Sequence, residues 1–270
     1  MVIPRNKILP LTAGEFENTI QEVRRLVKGD HHLICSTSDQ FLIRFIKASE
    51  CDAQKSYQLI KDYFRSKKEN PDEFLIKCPS IYFSTISRLD LGYVIPKTDY
   101  CGRKIILLRL GDIDPRRENW YTLIQSATIV LESLSLEPEI QDSGVNLIFD
   151  CTNFSLKIMK WATPHKLKVL MGFLQECIPL RFEVYHVVNA PFMFNVFYAA
   201  IKPFLKEEFI NKLHWHKPPF KTLQKFQDPS LIPKNLGGSL DIEEVKNWHE
   251  VILNKEHIFK EHLTMGYIKH

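Results

Sequence analysis

Three apolar runs do most to limit what this chain can become. Residues 104–110 (KIILLRL), 144–150 (GVNLIFD) and 183–188 (EVYHVV) show little polar alternation, and helical patterns at 120–136 and 164–177 lie between them. A strand with apolar side chains at consecutive positions is covered on both faces. Strands of that kind alternating with helices predict crossover connections and a largely parallel sheet. Thr163 and Pro164 mark a helix start, and Pro138 lies beyond the end of the preceding helix. A short strand at 213–216 and a final helix at 241–253 complete the set.

Before residue 80 the texture is helical. A first helix starts near Thr12, with Glu15 completing a capping box, and stops at Gly29. A second follows Ser36 and Thr37 and carries Phe41, Leu42, Phe45 and Ile46 as an apolar stripe. Asp52 caps a third, in which Tyr57, Ile60 and Phe64 share a face; Lys67, Lys68 and Pro71 end it. The fold class is therefore α/β, with a helical subdomain over 1–80, an α/β domain over 81–255 and a tail over 256–270.

Composition narrows the function. Hydrophobic residues make up 44% and charged residues 25%, which excludes a disordered or collagenous chain. The net charge of +4, from 36 basic and 32 acidic residues, is too small an excess for a phosphate-neutralising nucleic-acid binder. The cysteines at 35, 51, 78, 101, 151 and 177 show no metal-type pairing and read as free thiols of a reducing compartment. Residues 1–11 lack the apolar core of a signal peptide, and no run reaches the ~18 apolar residues of a spanning helix. The expectation is a cytoplasmic protein.

Catalytic signatures are missing. There is no GxGxxG, no GxxxxGK[ST] and no GxSxG, so neither a phosphate cradle nor a hydrolase elbow is visible. His31 and His32, or His214 and His216, have no third ligand at motif spacing, and read as solvated or hydrogen-bonded imidazoles. No enzyme, no metal and no cofactor are expected.

The segment 191–205, PFMFNVFYAAIKPFL, needs an explanation. Asn189 and Pro191 can start a helix there, yet between Phe192 and Ile201 the polar groups are Asn195 and the Tyr198 hydroxyl. A helix covering a sheet should present a polar outer face. Three readings stand: burial on both sides, a dimer interface, or an inner face on an apolar cavity with an outer face toward a membrane or partner. Residues Ile124, Ala127, Thr128 and Leu131, and likewise Leu170, Phe173, Leu174 and Cys177, repeat at helical spacing, as either a filled core or a lined cavity would require.

Four stretches, in order, resemble the CRAL-TRIO family: DQFLIRFIKASECDAQKSYQLIKDYF at 39–64, NLIFDCTNFS at 146–155, the run from Cys177 to Leu205, and LIPKNLGG at 231–238. The similarity points to the branch that includes the alpha-tocopherol transfer protein, the clavesins and the retinaldehyde-binding proteins. The resemblance implies a helical subdomain on an α/β domain whose cavity holds one lipophilic molecule, with 189–212 as a mobile lid. It places Leu108, Ile124, Ala127, Leu131, Val145, Phe149, Phe173, Leu174, Ile178, Leu180, Phe182 and Tyr185 at the pocket. On the lid it places Phe192, Met193, Val196, Phe197 and Ala200, facing inward or toward a membrane.

Two departures carry consequences. Ala127 and Leu131 stand where the tocopherol-binding pattern has serines, which leaves Ser126, Thr128 and Tyr185 as candidate polar contacts. Lys47, Arg181 and Lys212 match a phosphoinositide-gripping cleft of the branch, but Ser49, Glu183 and Glu208 replace bases and weaken phosphate attraction. Asn235 replaces an acidic residue before the glycine pair. The reading is an intracellular, monomeric, non-enzymatic carrier of a small hydrophobic ligand such as a retinoid, carotenoid, tocopherol or similar isoprenoid, peripheral at membranes during exchange. The alternative is an interaction module recruited to membranes through phosphoinositide.

Overall fold

The apolar runs become adjacent strands of one sheet. In the computed structural model, which describes residues 12–77, 79–82, 91–242, 245 and 252–268, five strands pair in the order β2-β3-β4-β5-β6. These are β2 (Gly92–Thr98), β3 (Lys104–Arg109), β4 (Val145–Asp150), β5 (Phe182–Val188) and β6 (Leu213–His216). From β3 onward the pairing is parallel, and β2 joins β3 antiparallel at the edge. The edge strand escapes the sequence pattern because Pro96 interrupts it and three of its seven residues are exposed on its outer half.

Crossover helices build the layer on one face. Between β3 and β4 run α5 (Trp120–Ser135) and α6 (Pro138–Ser143); between β4 and β5 run α7 (Leu156–Trp161) and α8 (Pro164–Glu176). Between β5 and β6 come α9 (Phe192–Ile201) and α10 (Glu207–Asn211). Asn119 caps α5 by accepting the N–H groups of Tyr121 and Thr122. Thr163 stands at the cap position of α8 without a side-chain bond, so Pro164 sets that start alone. Asn189 does not cap α9. It adopts φ 53°, and its Nδ2 donates to Asp150 Oδ1 at 3.2 Å and Thr152 Oγ1 at 2.9 Å, tying the end of β5 to the end of β4.

The other face of the sheet meets an irregular layer. Ile95, Ile105, Leu107, Ile148 and Val188 pack against Phe220, Leu223, Leu231, Ile232 and Leu236. The glycine pair closes this layer: a Cβ on Gly238 would lie 2.0 Å from the Ile232 carbonyl oxygen, which leaves no room for any other residue. Gly111 is as confined, with Thr152 O 1.4 Å from where its Cβ would be, so the loop after β3 can touch the loop after β4.

The N-terminal helices α1 (Ala13–Lys28), α2 (Asp39–Ala48) and α3 (Ala53–Glu69), with the short α4 (Pro71–Phe74), form their own core around Phe41, Leu42, Phe45, Ile60 and Tyr63. The capping box of Thr12 and Glu15 and the Asp52 cap are both in place. Ser38, one residue beyond the expected start, caps α2. Of the segment 256–270, expected to be a tail, residues 256–268 return to this layer: α11 (Glu256–His262) is followed by β7 (Gly266–Tyr267), which pairs antiparallel with β1 (Leu33–Ile34). Met265 and Tyr267 join the helical core, so burial holds the segment down. The helix expected at 241–253 falls largely outside the described residues.

Candidate functional site

Between the sheet and the helical layer lies a cavity of about 610 Å³. Alternation along the strands builds its floor: Ile106 and Leu108 from β3, Leu147 and Phe149 from β4, and Tyr185 and Val187 from β5 point to one face. Helix α5 contributes Ile124, Ala127, Thr128 and Leu131 at helical spacing, and α8 contributes Phe173 and Leu174. The aromatic rings are held by one another. Phe149 stacks on Tyr185 with centroids 6.2 Å apart, and Phe209 lies 4.1 Å from the Tyr185 ring.

Helix α9 roofs this space, and the helical period sorts its side chains. Phe194, Phe197, Tyr198 and Ile201 lie on the cavity wall. The other face points out: Phe192 is 76% exposed and Val196 40%. Of the readings for this segment, burial on both sides is thereby removed. The inner face meets a cavity and the outer face carries apolar groups in water.

The expected pocket residues divide accordingly. Leu108, Ile124, Ala127, Leu131, Phe149, Phe173, Leu174, Phe182, Tyr185 and Phe197 are on the wall. Val145, Ile178 and Leu180 are not; they are buried in the adjoining core, at the start of β4 and in the turn before β5. Phe192, Met193, Val196 and Ala200 fall on the sides of α9 away from the wall. Sequence reading missed Phe194, Tyr198 and Ile201, although their spacing with Phe197 was the available signal. Phe154, Ile158 and Trp161 were also missed, because the short helix α7 was not read.

Polar groups on the wall are few. Ser126 donates to the Thr122 carbonyl at 2.7 Å and is thereby satisfied. Arg109, the one charged side chain among the wall residues described, pairs with Asp112 at 2.5 Å. Burial, with smaller contributions from Glu208 and Glu183, pushes the Tyr185 phenol well above its ordinary range and keeps it protonated.

Lys47, Arg181 and Lys212 do come together at the junction of the helical subdomain and the sheet, but each is engaged. Lys47 pairs with Asp142. Arg181 donates to the Asp142 carbonyl at 2.6 Å and lies 3.5 Å from Glu183. Lys212 pairs with Glu208 at 2.7 Å and donates to the Phe182 carbonyl. On the far face of the sheet His186 Nδ1 and His216 Nε2 are 2.8 Å apart, and His216 Nδ1 meets Thr222 Oγ1. Among the described residues no helix is long and apolar enough to cross a membrane.

A parallel sheet with an apolar cavity under a roofing helix defines a lipid-binding class of protein, and comparison with known proteins gives it a family. Residues 90–238 match the CRAL/TRIO domain. Clavesin-1 of Rattus norvegicus is 30% identical over 244 residues, covering 88% of this chain and 68% of the relative. Clavesin-2 of Mus musculus is 29% identical over 242 residues, covering 88% and 73%. The crystal structure of Sfh5 superposes with a TM-score of 0.57 at 13% identity, over 93% of this chain and 99% of that one, and so shares the fold. The chain belongs to the CRAL/TRIO family, on its clavesin branch, and is a lipid-binding or lipid-transfer protein.

Proposed function

We propose that this protein is an intracellular, non-enzymatic carrier of one small isoprenoid-like lipophile, a retinoid, carotenoid, tocopherol or relative. It exchanges cargo at a membrane surface by moving α9. The observation that carries the reading is the division of α9 into an inner face on an apolar cavity and an outer face with Phe192 and Val196 in water. A ligand burying about 400 Å² of apolar surface gains on the order of 10 kcal/mol gross, before the costs of association are subtracted. The exposed apolar face can be covered by lipid during exchange, which lowers the cost of opening.

The experiment is organic extraction of the protein purified from its native tissue, followed by mass spectrometry and an absorption spectrum. One lipophile at a stoichiometric ratio is the expected result. A protein with no extractable lipid that nevertheless binds phosphoinositide vesicles would overturn the carrier reading in favour of membrane recruitment.

A further inference from the structure

Strand β6 is four residues long and lies at the edge of its sheet, paired with β5. Alternation sends its side chains to opposite faces. Leu213 and Trp215 face the helical layer. Leu213 lies on the cavity wall, and the Trp215 ring stands edge-on to Phe194 and Tyr198 of α9, with centroids 5.8 and 5.2 Å away. His214 and His216 face the other way. His214 is opposite His186 of β5 in the register, and His216 Nε2 meets His186 Nδ1 at 2.8 Å. One short strand thus props the roof on one side and carries two imidazoles of a cluster on the other.

That cluster suits neutral rings. His186 is fully buried and His216 nearly so, while His214 is half-buried and nearest to water. Phe226 stands 4.6, 4.9 and 6.0 Å from the rings of His186, His214 and His216. A bond between two ring nitrogens needs one of them without a proton. His186 Nε2 has no hydrogen-bond partner among the described residues, so a proton there would make a buried donor with nothing to receive it.

The surrounding charges oppose a further cation. Arg103 acts on His186 and His214 across the layer. The carboxylate beside it, Asp99, is spent on Arg103 at 2.7 Å and on the Asn146 amide, which also bonds Gln227. Thr222 Oγ1 holds the other nitrogen of His216. The loop after β6 brings Lys217, Lys221 and Lys225, all exposed, and Asp228, whose carboxylate accepts the Ser230 N–H.

We infer that protonation of this cluster loosens β6 and, through Trp215, frees α9, so that a proton taken up behind the sheet opens the cavity in front of it. This rests on the carrier reading and gives it a control. The sign follows from burial. Imidazoles that are neutral in the closed form and titrate near pH 6.5 once water reaches them bind protons mainly in the open form, so acid favours opening. Between pH 7.5 and 5.5 the open population rises about tenfold for each imidazole that gains water.

The test uses the full chain loaded with an eighteen-carbon fluorescent polyene alcohol and mixed with phosphatidylcholine vesicles, whose net charge is constant over this range. Release at pH 5.5 should be at least roughly tenfold faster than at pH 7.5. The His186→Asn, His216→Gln double variant should lose most of that acceleration. Amide hydrogen exchange of the empty, unmodified chain, corrected for the intrinsic effect of pH, reads the relay without cargo. Residues 192–201 and 213–216 should lose protection together at pH 5.5, while the central strand β3 keeps its own. Release that ignores pH, acid acceleration that survives in a folded double variant, or loss over α9 without loss over β6 would overturn the inference while the carrier reading stands. Equal loss over β3 would overturn it as well, since the whole chain would then be opening. If the probe does not bind at pH 7.5, the carrier reading falls, and the exchange pattern decides on the relay by itself.

Discussion

Gln175 and Lys206 are joined amide to amide: the backbone N–H of Lys206 donates to Gln175 Oε1 at 2.7 Å. Gln175 Nε2 donates in turn to the Phe204 carbonyl at 3.0 Å, so one side chain at the end of α8 grips the chain on both sides of Leu205. Lys206 adds an ion pair to Glu176 at 2.9 Å. The entry to α9 is held separately, by Asn189 on Asp150 and Thr152.

If α9 moves to admit cargo, the Gln175 clamp must yield or act as the pivot. Gln175→Leu removes both bonds to the α9 exit at similar size, along with the Nε2 bond to the Met171 carbonyl within its own helix. Dissociation of a fluorescent eighteen-carbon polyene alcohol from the loaded protein should then accelerate by roughly 5- to 50-fold, the equivalent of about two ordinary hydrogen bonds. Stopped-flow transfer to acceptor vesicles measures this. An unchanged rate would mean that cargo leaves by another route.

Cavity polarity gives a second expectation. Phe149 is half-buried, with its ring against Tyr185 and the cavity. Phe149→Asp places a carboxylate in an apolar wall, and retention of the polyene alcohol should drop by at least about a hundredfold. Far-ultraviolet circular dichroism should show near-normal helix content. Phe173 is the poorer choice for this test because its ring stacks on Phe74 at 3.9 Å, and replacing it would strain the fold itself. Retention by a folded Phe149→Asp protein would remove Phe149 from the site.

The parallel strands β3, β4 and β5 were legible because both faces are covered, so their apolar runs are continuous. The edge strand β2 was not, since Pro96 and exposed residues break its pattern. At the site, Leu108 on β3, Phe149 on β4, the α5 positions and Phe173 and Leu174 on α8 lie on the cavity wall, where their period and the resemblance agree. Val145, Ile178 and Leu180 lie in the core just beyond the wall, because a core residue there carries the same apolar signal as one on the wall. On α9 an almost uniformly apolar sequence has a weak periodic signal, and position along the family pattern did not reveal which face turned inward. The bond that returns the Ser126 hydroxyl to its own helix depends on a rotamer, which no pattern reports.

The helical subdomain is bound to the cavity wall by a buried charge pair. Lys67 Nζ on α3 lies 2.7 Å from Glu132 Oε1 on α5. Tyr63 closes the group, accepting from Lys67 at 2.7 Å and donating to Glu132 Oε2 at 3.0 Å. Glu132 is 1% exposed. Glu132→Ala strands a buried ammonium and should destabilise the protein by about 3–5 kcal/mol in urea denaturation. Lys67→Met combined with Glu132→Leu should recover most of that loss. A cost below about 1 kcal/mol for the single variant would show that water reaches Lys67.

The imidazoles behind the sheet make stability pH-dependent. Burial first, and then the neighbouring His216, His214 and Arg103, hold the His186 pKa well below 6.5; burial and His214 hold His216 at about 4. The unfolded chain, with ordinary histidines, therefore binds more protons than the folded one below about pH 6.5. Stability is fully present above that pH and falls as the pH drops from 6.5 toward 4. For His186 alone the slope approaches about 1.4 kcal/mol per pH unit once the unfolded histidine is protonated. Urea titrations at pH 7.5 and 5.5 should show the loss, and His186→Asn should reduce it. A stability that is flat across this range would show that protons enter the folded site freely.

Electrostatics at the subdomain junction supplies the last expectation. Lys47, Arg181 and Lys212 each have a carboxylate beside them: Asp142, Glu183 and Glu208. The Lys212 hydrogen bond is the first cause of a lowered Glu208 pKa, so that carboxylate stays ionised at neutral pH and keeps the cleft near neutrality. Phosphoinositide vesicles must displace these acids to reach the bases, and binding of the unmodified protein should exceed that to neutral vesicles only slightly. Replacing the acids, in Glu183→Lys with Glu208→Lys, frees the Lys212 ammonium and adds two cations. Vesicle cosedimentation should then rise by roughly tenfold at low salt and fade as ionic strength shortens the screening length. Strong, salt-sensitive phosphoinositide binding by the unmodified protein would show that the ion pairs open readily, and would return weight to recruitment through this cleft.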